Sequence, residues 1–268
     1  ESIISPYNSS EIYGMIQFGG LYSSTDGQTI NSLGSPEQGR WITPMQFDSL
    51  NNKIIAGYSQ LYSYSQINGW QTLSNFSFPS LISQIEIYQS NSDTIFLSEG
   101  SNLYMSNDGG ATITPLNSPT TSTISSIEVN KYNPNELWVV QSGWTNNQKV
   151  FHTTDLGLNW ENISYNLPNL PANVIKRDHS NNDLYLGMDI GIYHYNTETN
   201  LWTSFSNNLP NVIVNDIEIS ESFDLVTIGT YGRGVWQSDT YNAELDSIRI
   251  YAFQIDSVEE FLCSSSIT

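Results

Sequence analysis

Alternating apolar and polar residues recur along this chain at nearly even spacing, and in every repeat an aliphatic residue is followed at once by an aromatic one. The pairs are Leu21-Tyr22, Leu61-Tyr62, Leu103-Tyr104, Val150-Phe151, Ile192-Tyr193 and Val235-Trp236. Their aromatic members lie 40, 42, 47, 42 and 43 residues apart. Before each pair comes an apolar run, Glu11 to Met15 in the first repeat, then Lys53 to Tyr58, Thr94 to Ser98, Glu136 to Gln141, Asp183 to Met188 and Asp224 to Gly229. An alternating run precedes that one: Ile42 to Asp48, Ile82 to Tyr88, Ile124 to Asn130, Ala172 to Asp178, Val214 to Ser220. A last run starts near Ile30, Trp70, Ile113, Trp160 and Trp202. Period-two alternation rich in β-branched and aromatic residues predicts strands. The Asn, Ser, Asp and Gly clusters between the runs predict turns, because short polar side chains bond nearby backbone and tolerate left-handed φ.

Four strands in a period of the low forties predict an all-β chain, a β-propeller of four-stranded antiparallel blades with six repeats visible. The intact protein is left open at six blades or at seven and more. We place the propeller at 1–242, truncated at its N-terminal edge. Aligning Glu11-Ile12 with Glu136-Leu137 leaves the first inner strand short at its front. No outer strand is evident after Val235-Trp236, and Asp246 to Ile255 reads as a separate strand. Residues 243–268 are therefore expected to be a linker and the start of a further β domain.

Composition narrows the function. Eight Lys plus Arg against 27 Asp plus Glu give a net charge of −19, which repels nucleic acid and anionic membranes. A mean hydropathy of −0.32 and the lack of a long apolar run argue against membrane insertion. The one cysteine, Cys263, provides no disulfide framework. His152, His179 and His194 lack metal-ligand spacing, so neither metal nor cofactor is expected.

The loop after the aliphatic–aromatic pair carries the most specific local signal. Ser106-Asn107-Asp108-Gly109-Gly110 and Thr153-Thr154-Asp155-Leu156-Gly157 both read S/T-x-D-x-G, ending on Ile113 and Trp160, and Ser24-Thr25-Asp26-Gly27 is one residue shorter. A carboxylate there can cap the backbone N–H groups of a tight turn, glycine supplies positive φ, and the last apolar residue can pack under the loop. These loops resemble the Asp-box, or BNR repeat, of sialidases, xyloglucanase-type glycoside hydrolases and sortilin-type ectodomains. Gly229-Thr230-Tyr231-Gly232-Arg233-Gly234-Val235-Trp236 resembles the closing blade of secreted Bacteroidota propellers of this kind. The resemblance implies a fold-holding role for Asp26, Asp108, Asp155 and Trp160, a secreted or cell-surface location, and further domains on the same polypeptide.

Chemistry is thinly represented. A sialidase needs an arginine triad, and the chain has four arginines, of which Arg249 falls outside the repeats. The xyloglucanase-type resemblance implies an aspartate in the turn before the third strand. The first repeat has Gln17 there, in Gln17-Phe18-Gly19-Gly20, while the fifth has Asp189 in Asp189-Ile190-Gly191. Glycosidases need two carboxylates flanking the scissile bond, so Asp189 is only a weak catalytic candidate, with turn capping as its other role. Binding is better supported. Trp144 stands in Ser142 to Lys149, the insertion behind the 47-residue spacing, and such insertions commonly map to a binding face. Trp144, Asp189, Tyr231 and Arg233 are the binding candidates. Arg233 has an ion pair with Asp216 or Glu218 as its alternative. The expected function is a non-catalytic, secreted or cell-surface propeller that serves as a ligand-binding, adhesion or scaffold module for a glycan or peptide. The alternative is a glycoside hydrolase fragment acting on β-glucans.

Overall fold

In a computed structural model, which describes residues 1–241 and 250–252, the chain forms six four-stranded antiparallel blades, a β-propeller. The chain divides into two compact units, residues 1–164 and 165–268. In the first unit, blade 1 is β1 (Ser2–Ser5), β2 (Asn8–Met15), β3 (Leu21–Ser24) and β4 (Asn31–Gly34). Blade 2 is β5 (Met45–Asp48), β6 (Lys53–Gly57), β7 (Leu61–Ser65) and β8 (Gly69–Thr72). Blade 3 is β9 (Gln84–Ile87), β10 (Ile95–Glu99), β11 (Asn102–Ser106) and β12 (Thr114–Leu116). Blade 4 is β13 (Ile124–Asn130), β14 (Asn133–Gln141), β15 (Val150–Thr153) and β16 (Glu161–Asn162). The second unit holds blade 5, with β17 (Ala172–Arg177), β18 (Leu184–Met188), β19 (Gly191–Asn196) and β20 (Leu201–Ser204). Its blade 6 has β21 (Val214–Ser220), β22 (Leu225–Thr230), β23 (Gly234–Asp239) and β24 (Ile250–Ala252).

The burial pattern explains why these residues form blades. Unlike β2 and β22, which keep exposed or half-buried positions, the second strands β10 and β18 are buried at every residue. Such strands read as continuous apolar runs instead of alternating ones. The outer strands β4, β12 and β16 lie mostly in water. The aliphatic member of the pair points into the interblade core. Leu21, Leu61 and Val150 have no exposed surface, whereas Val235 in blade 6 is 38% exposed. Between blades 2 and 3 the core gathers Ile55, Leu61, Ile82, Ile87, Leu97 and Tyr104. In the second unit, Val174, Ile192, Phe205, Val214 and Ile228 do the same between blades 5 and 6.

Neighbouring blades also exchange polar contacts one repeat apart. Gln46 on β5 donates to Glu86 on β9 at 2.7 Å, and Trp70 and Trp160 donate through Nε1 to the carbonyls of Leu33 and Asn117, 3.0 Å each.

Some strands differ from their sequence-based bounds. β5 starts at Met45 and not at Ile42, because Pro44 lacks an N–H for the ladder. Asn133-Pro134-Asn135, read as a turn, opens β14, and the reversal falls on Lys131-Tyr132. The segment expected as a separate strand, Asp246 to Ile255, is described only at Ile250–Ala252. These three residues pair with Trp236–Ser238 as the outer strand of blade 6, taking up the ladder groups that β23 leaves open. The rest of 243–268, with Arg249 and Cys263, lies outside the described residues. No α-helix occurs among the described residues, and no helix is long and apolar enough to cross a membrane.

Candidate functional site

Two kinds of loop at each blade bear on the site. One kind joins third to fourth strands and holds the aspartates. In the blade 4 loop, Thr153 Oγ1 donates to Asp155 Oδ1 at 2.8 Å and accepts from Gly157 N at 3.0 Å, while Asp155 accepts from Asn159 N at 2.9 Å. Blade 3 repeats this with Ser106, Asp108, Gly110 and Thr112, and blade 1 with Ser24, Asp26, Gly27 and Thr29. Bonds from the Thr29 and Gln28 backbone N–H groups hold the Asp26 carboxyl down at about 2. The Thr112 backbone lowers Asp108 in the same way, and the Asn159 side chain and backbone lower Asp155. All three carboxylates point to their own turns. The Trp160 ring lies against Gly157, where an added Cβ would come within 3.2 Å of it.

The other kind joins second to third strands and carries the binding candidates. In blade 4 this is the insertion between β14 and β15. Lys149, 1% exposed, donates through Nζ to Gly143 O at 2.6 Å, and Asn162 Nδ2 donates to Asn147 O at 2.7 Å. Burial pushes the Lys149 ammonium below its usual range. Gly143 at φ 121° and Asn147 at φ 54° make the reversal. Trp144, next to the carbonyl that Lys149 holds, is left 65% exposed.

Asp189, Tyr231 and Arg233 all fall in the second unit. Asp189 Oδ1 accepts from Asn173 Nδ2 at 3.1 Å, and the same amide reaches Val214 O at 3.3 Å. Asp189 is thus tied to the start of β17 and, through Asn173, to β21. Tyr231 is 73% exposed on a backbone held by its N–H to Ile213 O. The Arg233 carbonyl accepts from Trp236 Nε1 at 2.9 Å while its side chain lies exposed, and no ion pair joins it to Asp216 among the described residues.

Two features of the first unit went unseen in the sequence. Gln17–Gly19 forms a single 3-10 turn with Phe18 at φ 64°, and Phe18 meets Trp41 edge-on at 5.4 Å between ring centroids. Ile42, which the alternation places at the front of a strand, lies in the loop beside Trp41. The other is Lys149, whose charge marks a surface residue until the fold encloses it. Two of the histidines make internal contacts: His152 stacks on Trp138 and bonds Glu136, and His194 is buried with Nε2 2.8 Å from Asp183 Oδ2. No group of three or more metal-ligating side chains converges among the described residues.

No family model and no curated protein matches this chain. Solved structures do match in fold. An ancestral GH74 enzyme superposes with a TM-score of 0.74 at 17% identity, over 94% of this chain and 38% of its own. The GH74 xyloglucanase from Xanthomonas campestris gives 0.70 at 12% identity, over 93% of this chain and 46% of its own. The β-propeller domain of Cps50 (Swd1) from Myceliophteria thermophila gives 0.67 at 9%, over 94% and 86%. The chain spans less than half the length of either GH74 protein. Two kinds of propeller match almost equally well, so the likeness speaks for the fold alone.

Proposed function

We propose that the chain is the non-catalytic, ligand-binding propeller of a larger secreted or cell-surface protein, and that it takes a glycan or peptide on Trp144. The supporting observation is the braced insertion of blade 4. A buried lysine and an asparagine side chain pin two carbonyls of one loop, and the residue this raises into water is a tryptophan. Leaving a large ring in water forfeits burial, and a rigid aromatic costs little entropy when a sugar ring or peptide side chain covers it. Titrating the chain with cello-, xylo- and manno-oligosaccharides and with a peptide panel tests the reading. Trp144→Ala is expected to weaken the best ligand about tenfold or more, the loss of roughly 1.4 kcal/mol of contact. An unchanged affinity would remove Trp144 from the site.

The GH74-like fold favours a second reading, a fragment of a β-glucan hydrolase of the xyloglucanase type. Its support is Asp189 in the turn before β19, yet the corresponding turn of blade 1 offers the Gln17 amide, which neither delivers nor accepts a proton usefully. Reducing-sugar release from a β-glucan panel, abolished by Asp189→Asn, would establish this reading in place of the first. No release is expected.

A further inference from the structure

Blades 1 and 2 carry an exposed apolar surface on two loops that hydrogen-bond to each other. Phe18 N donates to Arg40 O and Gly39 N donates to Phe18 O, 2.9 Å each. Phe18 is 46% exposed and Trp41 64%, and Ile16 and Ile42 on the same loops are 51% and 61% exposed. Phe18 holds a left-handed φ that a bulky residue rarely adopts, and such strain persists only where the surroundings over-determine it. Here they do. Gly19 N bonds Ile16 O, and the buried Tyr58 donates to Gly19 O at 2.6 Å. The chain thus sustains a strained backbone in order to stand one ring in water against the edge of another.

We propose that this surface docks a polypeptide partner presenting an apolar or aromatic side chain flanked by lysine or arginine. Three observations select that occupant. Several polar groups of the loops are already taken: Ile16 N by Gly20 O, Arg40 Nη1 by Leu81 O, Arg40 O by Thr43 Oγ1, and Glu37 by Ser59. The Gln17 and Gln38 amides lie exposed on the same loops, but Phe18, Trp41, Ile16 and Ile42 present mainly apolar surface, which an apolar side chain covers without needing hydrogen-bond partners. Two isoleucines beside two aromatics suit the desolvated centre of a protein contact, where aromatic anchors contribute most. The net charge of −19 then favours and steers a basic partner over an acidic one. The surface belongs to other blades than the Trp144 loop and holds whichever ligand that loop takes.

The test uses the full chain and fluorescein-labelled decapeptides with a central Trp, Phe or Leu, flanked by lysines in one set and glutamates in the other. Lysine-flanked peptides are expected to bind, with affinity falling as salt screens the charge. Trp41→Ala and Phe18→Gly should each weaken them about tenfold or more, Trp144→Ala should not, and Phe18→Gly should keep or raise Tm because glycine takes positive φ freely. Three results would each overturn the proposal: no binding by either set, equal binding by both, or cellohexaose binding that is lost with Trp41→Ala. A large fall in Tm for both variants would show the two rings to be core packing and would equally refute it.

Discussion

Asp26, Asp108 and Asp155 each accept bonds from the turn they start, and their depressed carboxyls make those turns pH-sensitive. The sign follows from proton counting. The unfolded chain binds a proton near pH 4 that the folded Asp26 turn refuses until about 2, so the contribution is complete above roughly pH 4. It is lost as pH falls through the folded value. Asp26→Asn should therefore lower Tm at neutral pH, with the difference from wild type closing toward pH 2 in thermal melts. Gly110 reports on the same kind of loop by sterics. At φ 97° an added Cβ would lie 2.7 Å from Leu61 Cδ2 and 3.2 Å from Leu73 Cβ. Gly110→Ala should cost about 1–3 kcal/mol in chemical unfolding, and more than Gly27→Ala, where positive φ is the sole penalty. The S/T-x-D-x-G spacing announced these residues from sequence because their partners lie within four positions. Phe18 gave no such sign, since its φ is imposed by Arg40 and Tyr58, which lie far along the chain.

In the blade 4 insertion the brace carries a desolvation cost. Lys149 is desolvated, and its charge finds Gly143 O. Its folded pKa lies below the unfolded one, so the unfolded chain holds the proton longer and stability rises with pH in the window just below the usual lysine value. Lys149→Met removes that penalty along with the brace. We expect Tm to hold or rise, while amide exchange across residues 143–148 quickens and any ligand taken by Trp144 weakens. A fall in Tm with unchanged exchange would assign Lys149 to the core instead. Length alone pointed to this insertion in the sequence. Its brace was not legible, because a lysine in a polar loop looks the same whether it faces water or a carbonyl.

Across the whole molecule, stability rests on apolar surfaces between blades set against a large like-charge excess. Ile87, fully buried between blades 2 and 3, should cost about 2–5 kcal/mol when cut to alanine, measured by denaturant unfolding. The −19 charge repels itself at neutral pH, so raising ionic strength should raise Tm until the repulsion is screened.

The four-stranded repeat, the strand order within it and the aspartate turns were settled by the chain itself, because alternation, β-branching and turn chemistry act over a few residues and repeat every forty-odd. Ile250–Ala252 as the outer strand of blade 6, Trp41 against Phe18, and Lys149 on the Gly143 carbonyl were decided only in three dimensions. Each depends on a loop or strand edge meeting a partner across a blade or between blades, and the spacing of a repeat says where a loop starts but not what its side chains will touch.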